Sequence, residues 1–404
     1  MVKMLLFGYL AAISLTCSLV TAEHLATIAP KVLIVTFFKD EGDIYLNNSG
    51  GNEPLNFRAK QHRIPFGNPQ FPYLHCTNDD AACIVTVGEG MVQAAATTMA
   101  LLMDPMLELN ETYWVLTGIA GGAPDQVTLN SITLARFSVQ VSMQHEIDPR
   151  EIPADFSTGY FPQGTQSPED DWGYVYDSEV YELNTNLRDT ATKMIDPSQI
   201  IDIAEAQTYR SKYASDPKFQ AAVRPPSVVN CDVATSDTWW SGTLLAEAFA
   251  ERIKMWTNGT GVYCTTAQED GAVLGALLRG ALEKSIDYER VIVVRTVSDF
   301  DRPYPNQTAI ENLLAKTSAY NSAVDNIYLA GHSIATGIIG SWQEKYKKGI
   351  PAQNFLGDVW GTLGGKPDFG PGRVSSGSYV DVPGASQIPN RALRRNFRRS
   401  MMSP

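Results

Sequence analysis

The sequence predicts an α/β fold built around a mixed, mostly parallel β-sheet. Three observations support this prediction. From Lys31 onward, short apolar runs of strand length alternate with longer stretches of helical composition, as in parallel sheets covered by helices. Residues 131–142 instead alternate between apolar and polar side chains, which indicates an antiparallel or mixed strand. Apolar residues make up 44% of the 404 residues, which is enough for a large core.

Each predicted core element is an apolar segment, either short enough for a strand or long enough for a helix. In chain order they are predicted at residues 31–38 (strand), 83–90 (strand), 91–104 (helix), 112–122 (strand), 228–237 (strand), 261–267 (strand), 269–284 (helix) and 290–299 (strand). The strand at residues 112–122 is expected to run into a Gly-rich turn. Ligands of such sheets bind at the carboxyl ends of the strands, so we expect a site at that edge.

Both ends of the chain differ from this core. Residues 1–22 contain Lys3 and a mostly apolar run and end in a small residue, which predicts a cleaved secretory signal peptide, with an uncleaved anchor as the alternative. We therefore expect a secreted or cell-surface protein whose residues 23–350 form one domain. Residues 151–226 are rich in aromatic, proline and acidic residues and are interpreted as an insertion over one sheet edge. Residues 351–404 are interpreted as an irregular extension with a basic tail.

The cysteines agree with export. Once Cys17 leaves with the signal peptide, an even number of cysteines remains. Cys76 and Cys83 bracket a polar loop that a small disulfide can close. Cys231 and Cys264 lie near the ends of apolar runs, which indicates buried thiols as the alternative to a second disulfide. Four Asn-X-Ser/Thr sequons also suit a glycosylated secreted chain.

Charge limits the possible partners. The net charge of −12 argues against nucleic acid or an anionic membrane as the main partner. The segment "NRALRRNFRRS" is the exception, with five arginines between Arg391 and Arg399. It is interpreted as a solvated tail, with a surface-binding tail as the alternative. After the signal peptide, no charge-free apolar run is long enough to cross a membrane.

Several chemical motifs are incomplete. "GEGMVQ" at residues 88–93 lacks the third glycine and the following acid of a dinucleotide site. "GHSIATG" at residues 331–337 has Ala335 where a nucleophile elbow needs glycine, and no triad acid and histidine follow it. The five histidines show no metal-ligand spacing, and there is no phosphate-binding loop. We therefore expect no metal and no cofactor.

Carboxylates and aromatic residues instead follow several of the predicted strands. Glu41, Glu269 and Asp299 each come shortly after an apolar run, and Trp239-Trp240 follows another. Alone, each is a common type of loop residue. Because parallel strands end at the same edge of a sheet, we expect these side chains to lie near one another and to form the site.

The order and spacing of these segments resemble those of a known superfamily. "VTVGEGMVQAAATTMALLM", "WVLTGIAGGAPDQVTLNSITLAR", "ATSDTWWSG", "TTAQEDGAVLGALL" and "VIVVRTVSDF" are similar to motifs of the nucleoside phosphorylase/nucleosidase superfamily. Within it, the chain looks most like the fungal purine nucleoside permease family, because of its signal peptide and the "HEIDPREIP…STGYFP" insertion. The similarity covers roughly residues 31–345 and implies a phosphorylase/hydrolase-like three-layer fold.

The resemblance also implies roles for site residues. It implies that Asp299 protonates or hydrogen-bonds purine N7 and that Glu269 holds the ribose hydroxyls. Trp239 is expected against the base, and Glu41 at the position of a water-activating glutamate. The predicted substrate-binding set also includes Gly121, Gln268 and His145, the last near the ribose 5′-hydroxyl.

Whether the chain is a hydrolase or a phosphorylase depends on whether it can bind phosphate. Where phosphorylases of the superfamily carry a phosphate-binding Arg and Ser, this chain has Leu116 and Ile119. We therefore expect a purine nucleoside N-ribohydrolase, which needs only water. A second hypothesis is a purine nucleoside binding or uptake protein that works with a membrane partner. A third is a phosphorylase that takes phosphate ligands from elsewhere, such as Arg58 or Arg136. A homo-oligomer is compatible with each hypothesis.

Overall fold

The apolar runs of the sequence form strands of one large sheet. The structure is a computed structural model that describes residues 27–50, 54–170 and 175–370. The predicted signal peptide and the basic tail lie outside the described residues. The strands are β1 Val32–Thr36, β2 Lys60–Arg63, β3 Tyr73–Cys76, β4 Ala82–Thr86, β5 Tyr113–Gly122, β6 Ile132–Leu134, β7 Phe137–Gln140, β8 His145–Glu146, β9 Tyr160–Phe161, β10 Val180–Glu182, β11 Val228–Asn230, β12 Asp232–Thr235, β13 Tyr263–Ala267, β14 Val291–Phe300 and β15 Gly357–Asp358. The α-helices are α1 Lys39–Asn47, α2 Gly90–Leu102, α3 Thr185–Thr192, α4 Ala204–Arg210, α5 Thr243–Trp256, α6 Asp270–Leu282, α7 Ala309–Leu313 and α8 Tyr320–Gly340.

The main sheet is mixed, with parallel pairs at its centre. Its strand order is β15-β10-β7-β12-β13-β5-β1-β4-β3-β2, with β14 paired to β5 and β6, and β11 paired to β6. Strand β1 is parallel to both β4 and β5, and β14 is parallel to β5 over most of its length. Antiparallel pairs join β2, β3 and β4 at one edge and β7, β10 and β15 at the other. The predicted α/β class with a mixed sheet is confirmed.

Helices cover both faces of this sheet, because successive side chains of a strand point to opposite faces. Leu33 and Val35 of β1 belong to a core cluster that also contains buried residues of α2 and α6. Val32 and Ile34 belong to a second cluster with buried residues of α8. The result is the three-layer arrangement that the resemblance implies.

The strand predicted at residues 112–122 is present as β5, and the glycines expected to form a turn at its end, Gly121 and Gly122, are still part of the strand. The glycines allow neighbouring groups to approach the backbone closely. A Cβ atom on Gly122 would lie 2.5 Å from Cγ1 of Val297 on β14, far inside van der Waals contact. Strands β5 and β14 therefore pair closely up to the point where both end.

Residues 131–142 divide into two strands, and their neighbours fit a mixed arrangement. β6 is antiparallel to β14 and parallel to β11, whereas β7 is parallel to β12 and antiparallel to β10. Part of the segment at residues 151–226 also belongs to the main sheet, because β10 pairs with both β7 and β15. Another part forms a separate two-stranded sheet, in which β9 pairs with β8.

Both remaining cysteine pairs are bonded. Cys76–Cys83 joins β3 to β4, at the loop where a small disulfide was expected. The buried-thiol alternative for Cys231 and Cys264 is wrong, because their sulfurs form a second disulfide. Cys231 directly precedes β12 and Cys264 lies in the neighbouring β13, so the register of the two strands brings their Cα atoms to 6.0 Å.

The segment "GHSIATG" lies within the long helix α8, which starts at Tyr320 and buries Ile334 and Ile338 against the sheet. Ser333 therefore lies inside a helix and not on the strand-to-helix turn that a nucleophile elbow requires. No helix in the described part of the chain combines the length and apolarity needed to cross a membrane.

Candidate active site

A cavity of 260 Å³ opens at the carboxyl ends of β1, β5, β12, β13 and β14. Its lining includes six of the seven side chains or backbone positions predicted for the site, namely Glu41, Gly121, Trp239, Gln268, Glu269 and Asp299. His145 does not line it. That residue is exposed on β8, with its ring 5.0 Å from the ring of Phe161. Within the part of the chain that the structure describes, His145 is therefore not part of the cavity lining.

Glu41 lies in the first turn of α1, with 1% of its surface exposed. The Phe37 amide donates to Oε2 at 2.8 Å, and the Ile119 amide of β5 donates to Oε1 at 2.7 Å. Burial raises the pKa of Glu41 to about 8, although Arg295 and the two amides oppose that rise. The two hydrogen bonds fix the carboxyl group between β1 and β5, facing the cavity.

Arg295 is the residue of the site that the sequence analysis missed. It lies on β14 and is almost fully buried, with its guanidinium 4.3 Å from the ring centroid of Phe37. It donates to both oxygens of Asp270, at 3.1 and 2.7 Å, and to Glu269 Oε2 at 3.2 Å. The available signal was an arginine inside the otherwise apolar run "VIVVRTV", because an arginine in a buried strand requires a charged partner.

Glu269 follows β13 at the start of α6 and is also buried. Its Oε2 accepts from Arg295, and its Oε1 accepts from the Gly90 amide of α2 at 3.1 Å. Burial raises the pKa of Glu269, and Arg295 acts in the opposite direction. A carboxylate has about four acceptor positions, so Glu269 keeps the capacity to bind ligand hydroxyls.

A local irregularity of β14 sets the orientation of Asp299. The pairing of β14 with β5 shifts between Val297 and Asp299, which leaves Ser298 as the extra residue of a bulge. The Ser298 hydroxyl lies 3.2 Å from both Asp299 Oδ2 and the Ala120 carbonyl oxygen. Burial raises the pKa of Asp299 to about 6, and the Ser298 hydroxyl opposes that shift. This is the raised pKa that an acid needs in order to donate a proton near neutral pH.

Two further predicted residues lie at the mouth. Trp239 is 71% exposed and presents its ring at the opening. Gln268 donates to the Asp237 carbonyl oxygen at 3.1 Å, and Asp237 Oδ1 accepts from the Met91 amide at 2.7 Å. The first amides of α2 are thus bonded to carboxylates, through Glu269 at Gly90 and Asp237 at Met91.

Neither arginine named as a phosphate ligand lines the cavity. Arg58 donates to the Asn47 side chain at 2.9 Å, and Arg136 pairs with Glu182 at 2.7 Å. Leu116 is buried in the core, and Ile119 reaches the cavity with an apolar side chain. Among the described residues that line the cavity, Arg295 is the one cation, and it is already bonded to Glu269 and Asp270.

Comparison with known proteins gives the family. The model of the purine nucleoside permease family matches residues 29–351, so the chain belongs to that family. A purine nucleoside permease of Candida albicans is 35% identical over 351 residues, covering 85% of this chain and 84% of the relative. A probable purine nucleoside permease of Schizosaccharomyces pombe is 35% identical over 325 residues, covering 78% of this chain and 90% of the relative.

Solved structures are more distant. A 5′-methylthioadenosine/S-adenosylhomocysteine nucleosidase from Neisseria meningitidis is 13% identical, with a TM-score of 0.45, and the match covers 77% of this chain and 99% of that one. A futalosine hydrolase mutant of Helicobacter pylori is 13% identical, with a TM-score of 0.41, and the match covers 76% of this chain and 98% of that one.

The close approach at Gly121 gives a first test of this geometry. A Cβ atom there would lie 2.6 Å from Thr266 Oγ1 and 2.8 Å from Asp299 Oδ1. We expect Gly121→Ala to lower the free energy of unfolding by about 1–3 kcal/mol, as overpacking does. Gly340→Ala is the control, because nothing lies within 4 Å of its Cβ position. Urea unfolding of both variants measures the difference, and equal stabilities would contradict the described packing around Gly121.

Proposed function

We propose that this member of the purine nucleoside permease family is a secreted or cell-surface purine nucleoside N-ribohydrolase. The reaction would convert a purine ribonucleoside and water into the free base and ribose. One observation carries the proposal: Glu41, Glu269 and Asp299 line a single cavity whose arginine is already bonded to carboxylates. The two disulfides favour an oxidising compartment, which supports export.

Asp299 would act on the leaving base. Cleavage of the N-glycosidic bond leaves negative charge on the purine, and a proton delivered to N7 neutralises it. General acid catalysis of this kind contributes a factor of about 10²–10⁴. The half-buried position of Asp299, with a pKa raised to about 6, supports this role because a fraction of the group remains protonated near neutral pH.

Glu269 and Glu41 would act on the sugar. Glu269 would accept hydrogen bonds from the ribose hydroxyls, and these bonds strengthen as positive charge develops on the ring. Glu41, held by the Phe37 and Ile119 amides, would take a proton from the attacking water. Arg295 would not contact the reacting atoms in this scheme. Its bonds to Glu269 and Asp270 hold the sugar-binding carboxylate in place.

Water fits this cavity better than phosphate as the attacking group. A phosphate dianion needs a cation together with hydroxyl or backbone donors. The nearby amides of Phe37, Ile119, Gly90 and Met91 already donate to carboxylates, and those carboxylates would repel an anion. These contacts favour hydrolysis over phosphorolysis.

Uptake is the second candidate function, and the names of the relatives favour it. Both Candida albicans and Schizosaccharomyces pombe relatives are named as permeases. In that case the same cavity would bind a purine nucleoside without cleaving it and pass it to a membrane partner. The two functions differ in one observable, because only the hydrolase releases a free base.

Incubation with inosine tests the proposed function. We expect hypoxanthine and ribose at a rate that does not depend on added phosphate, measured by chromatography of the base and separate assays of ribose and ribose 1-phosphate. If ribose 1-phosphate is the main product, the reaction is phosphorolysis and the proposed hydrolysis is wrong. Inosine that binds and is recovered intact would favour uptake instead.

The pH dependence gives a second test. Activity needs a protonated Asp299 and an ionised Glu41, whose pKa values are raised to about 6 and about 8. Because the acid, Asp299, has a lower pKa than the base, Glu41, kcat/KM for inosine should rise up to about pH 6, stay level between about pH 6 and pH 8, and fall above about pH 8.

Variants of the two residues separate the two pKa values. Asp299→Asn should leave residual activity that rises with a midpoint near pH 8. Glu41→Gln should leave residual activity that falls with a midpoint near pH 6. Unchanged profiles in both variants would contradict these assignments.

A further inference from the structure

A buried ion pair follows Asp299 in the chain, and the scheme above gives it no role. Asp301 and Arg302 are 3% and 2% exposed. Nε and Nη2 of Arg302 donate to the two carboxylate oxygens of Asp301, at 2.7 and 2.8 Å. The Tyr263 hydroxyl of β13 also donates to Asp301 Oδ2. Desolvation of two buried charges offsets most of their attraction, so such a pair contributes little net stability to a fold.

The backbone of Asp301 connects the end of β14 to two neighbouring segments. Its amide donates to the Gly122 carbonyl oxygen at the end of β5, at 3.0 Å. Its carbonyl oxygen accepts from the Gly242 amide, directly before α5, at 2.9 Å. Gly242 closes the segment that carries Trp239 at the mouth of the cavity. The residues that follow Asp299 are therefore fixed between β5 and the segment that is expected to contact the base.

Asp301 also contributes to the charge environment of Asp299. Burial is the main cause of the raised pKa of Asp299, and the negative charge of Asp301 acts in the same direction, whereas the Ser298 hydroxyl opposes both. Tyr209 of α4 interacts with Asp299 as well, and burial raises the pKa of that tyrosine, which keeps it neutral near pH 7. Further titratable or charged groups lie around the pair, namely Asp125, Tyr213 and Tyr263, and in the cavity, namely Glu41, Glu269 and Arg295.

We propose that Asp301 is a positioning residue for the acid Asp299 and that its buried pair with Arg302 supports protonation of the leaving base. This inference rests on the proposed function of Asp299. The backbone of Asp301 fixes the end of β14, and its negative charge disfavours a second negative charge on Asp299. Loss of the Asp301 charge would also leave Arg302 as an unpaired buried cation, which favours the ionised form of Asp299.

Asp301→Asn tests the proposal through the pH dependence of kcat/KM for inosine. We expect the lower inflection, near pH 6 in the wild type, to move down by about one pH unit or more, because a like charge is lost and an opposite charge is unpaired. The plateau should fall about tenfold for each unit, because kcat/KM follows the fraction of enzyme with Asp299 protonated and Glu41 ionised. The upper inflection near pH 8, assigned to Glu41, should not move.

A second substrate, 7-methylinosine, separates this role from a general loss of folded protein. Its base is already cationic and leaves without a proton from Asp299. Asp301→Asn should therefore lose far less kcat/KM with 7-methylinosine than with inosine. Equal losses for the two substrates would overturn the proposal, and so would a lower inflection that stays near pH 6.

Glu182→Gln is the matched control. Glu182 is also a buried carboxylate in an ion pair, with Arg136 at 2.7 Å, but it lies on β10 and does not line the cavity. This variant should leave both inflections unchanged and affect the two substrates equally. A lower inflection that Glu182→Gln shifts as much as Asp301→Asn does would overturn the proposal, since a general effect of net charge would then explain the shift.

A double variant keeps the proposal testable if Asp301→Asn does not fold. Asp301→Asn combined with Arg302→Met removes both charges of the pair and so leaves no unpaired buried cation. Its lower inflection should still lie below that of the wild type, because the negative charge beside Asp299 is gone. An inflection at the wild-type pH would overturn the proposal.

Binding measurements separate failure of this inference from failure of the proposed function. If the wild type cleaves no nucleoside, the hydrolase proposal is wrong, and calorimetric titration with inosine at several pH values replaces the kinetic test. A protonated Asp299 would donate to N7, so the affinity should fall above about pH 6 in the wild type and about one unit lower in Asp301→Asn. Equal midpoints would overturn the inference, and so would an absence of inosine binding.

Discussion

Arg295 holds two carboxylates, Glu269 and Asp270, on a guanidinium that is almost closed to solvent. Removal of one member of such a buried group leaves uncompensated charge and costs about 3–5 kcal/mol. The bonds also connect β14 to the start of α6, and Glu269 continues the connection to α2 through the Gly90 amide. The position of the candidate sugar-binding carboxylate is therefore set by the core of the sheet and not by a surface loop.

This buried charge requires space, and glycine provides it. A Cβ atom on Gly118 would lie 2.4 Å from Arg295 Nη1 and 2.8 Å from Glu41 Oε1. Because Gly118 has no side chain, Glu41 and Arg295 both fit against β5, and the charge of each shifts the pKa of the other. Burial raises the pKa of Glu41, and the positive charge of Arg295 limits the rise. The close packing of β5 against Glu41 and Arg295 therefore also sets the pKa of Glu41, a carboxyl group that lines the cavity.

Local sequence patterns predicted the α/β class and the strands that end at the cavity, because continuous apolar runs are a local signal. Glu269 and Asp299 were found because each directly follows such a run. The pairing of Arg295, the bulge at Ser298 and the Cys231–Cys264 disulfide depend on contacts between distant segments, so no single run of residues indicates them. His145 was included through the resemblance alone; it lies on β8, which pairs with β9 in a separate two-stranded sheet, and it does not line the cavity.

The central claim is that Asp299 and Glu41 act as acid and base on an N-glycosidic bond. Parallel assays with inosine and 7-methylinosine test it most directly, because the methylated base is already cationic and leaves without a proton from Asp299. Asp299→Asn should lose about 10²–10⁴-fold in turnover of inosine and far less in turnover of 7-methylinosine, whereas Glu41→Gln should lose turnover of both. An equal loss for both substrates in Asp299→Asn, or no cleavage of either by the wild type, would contradict the account.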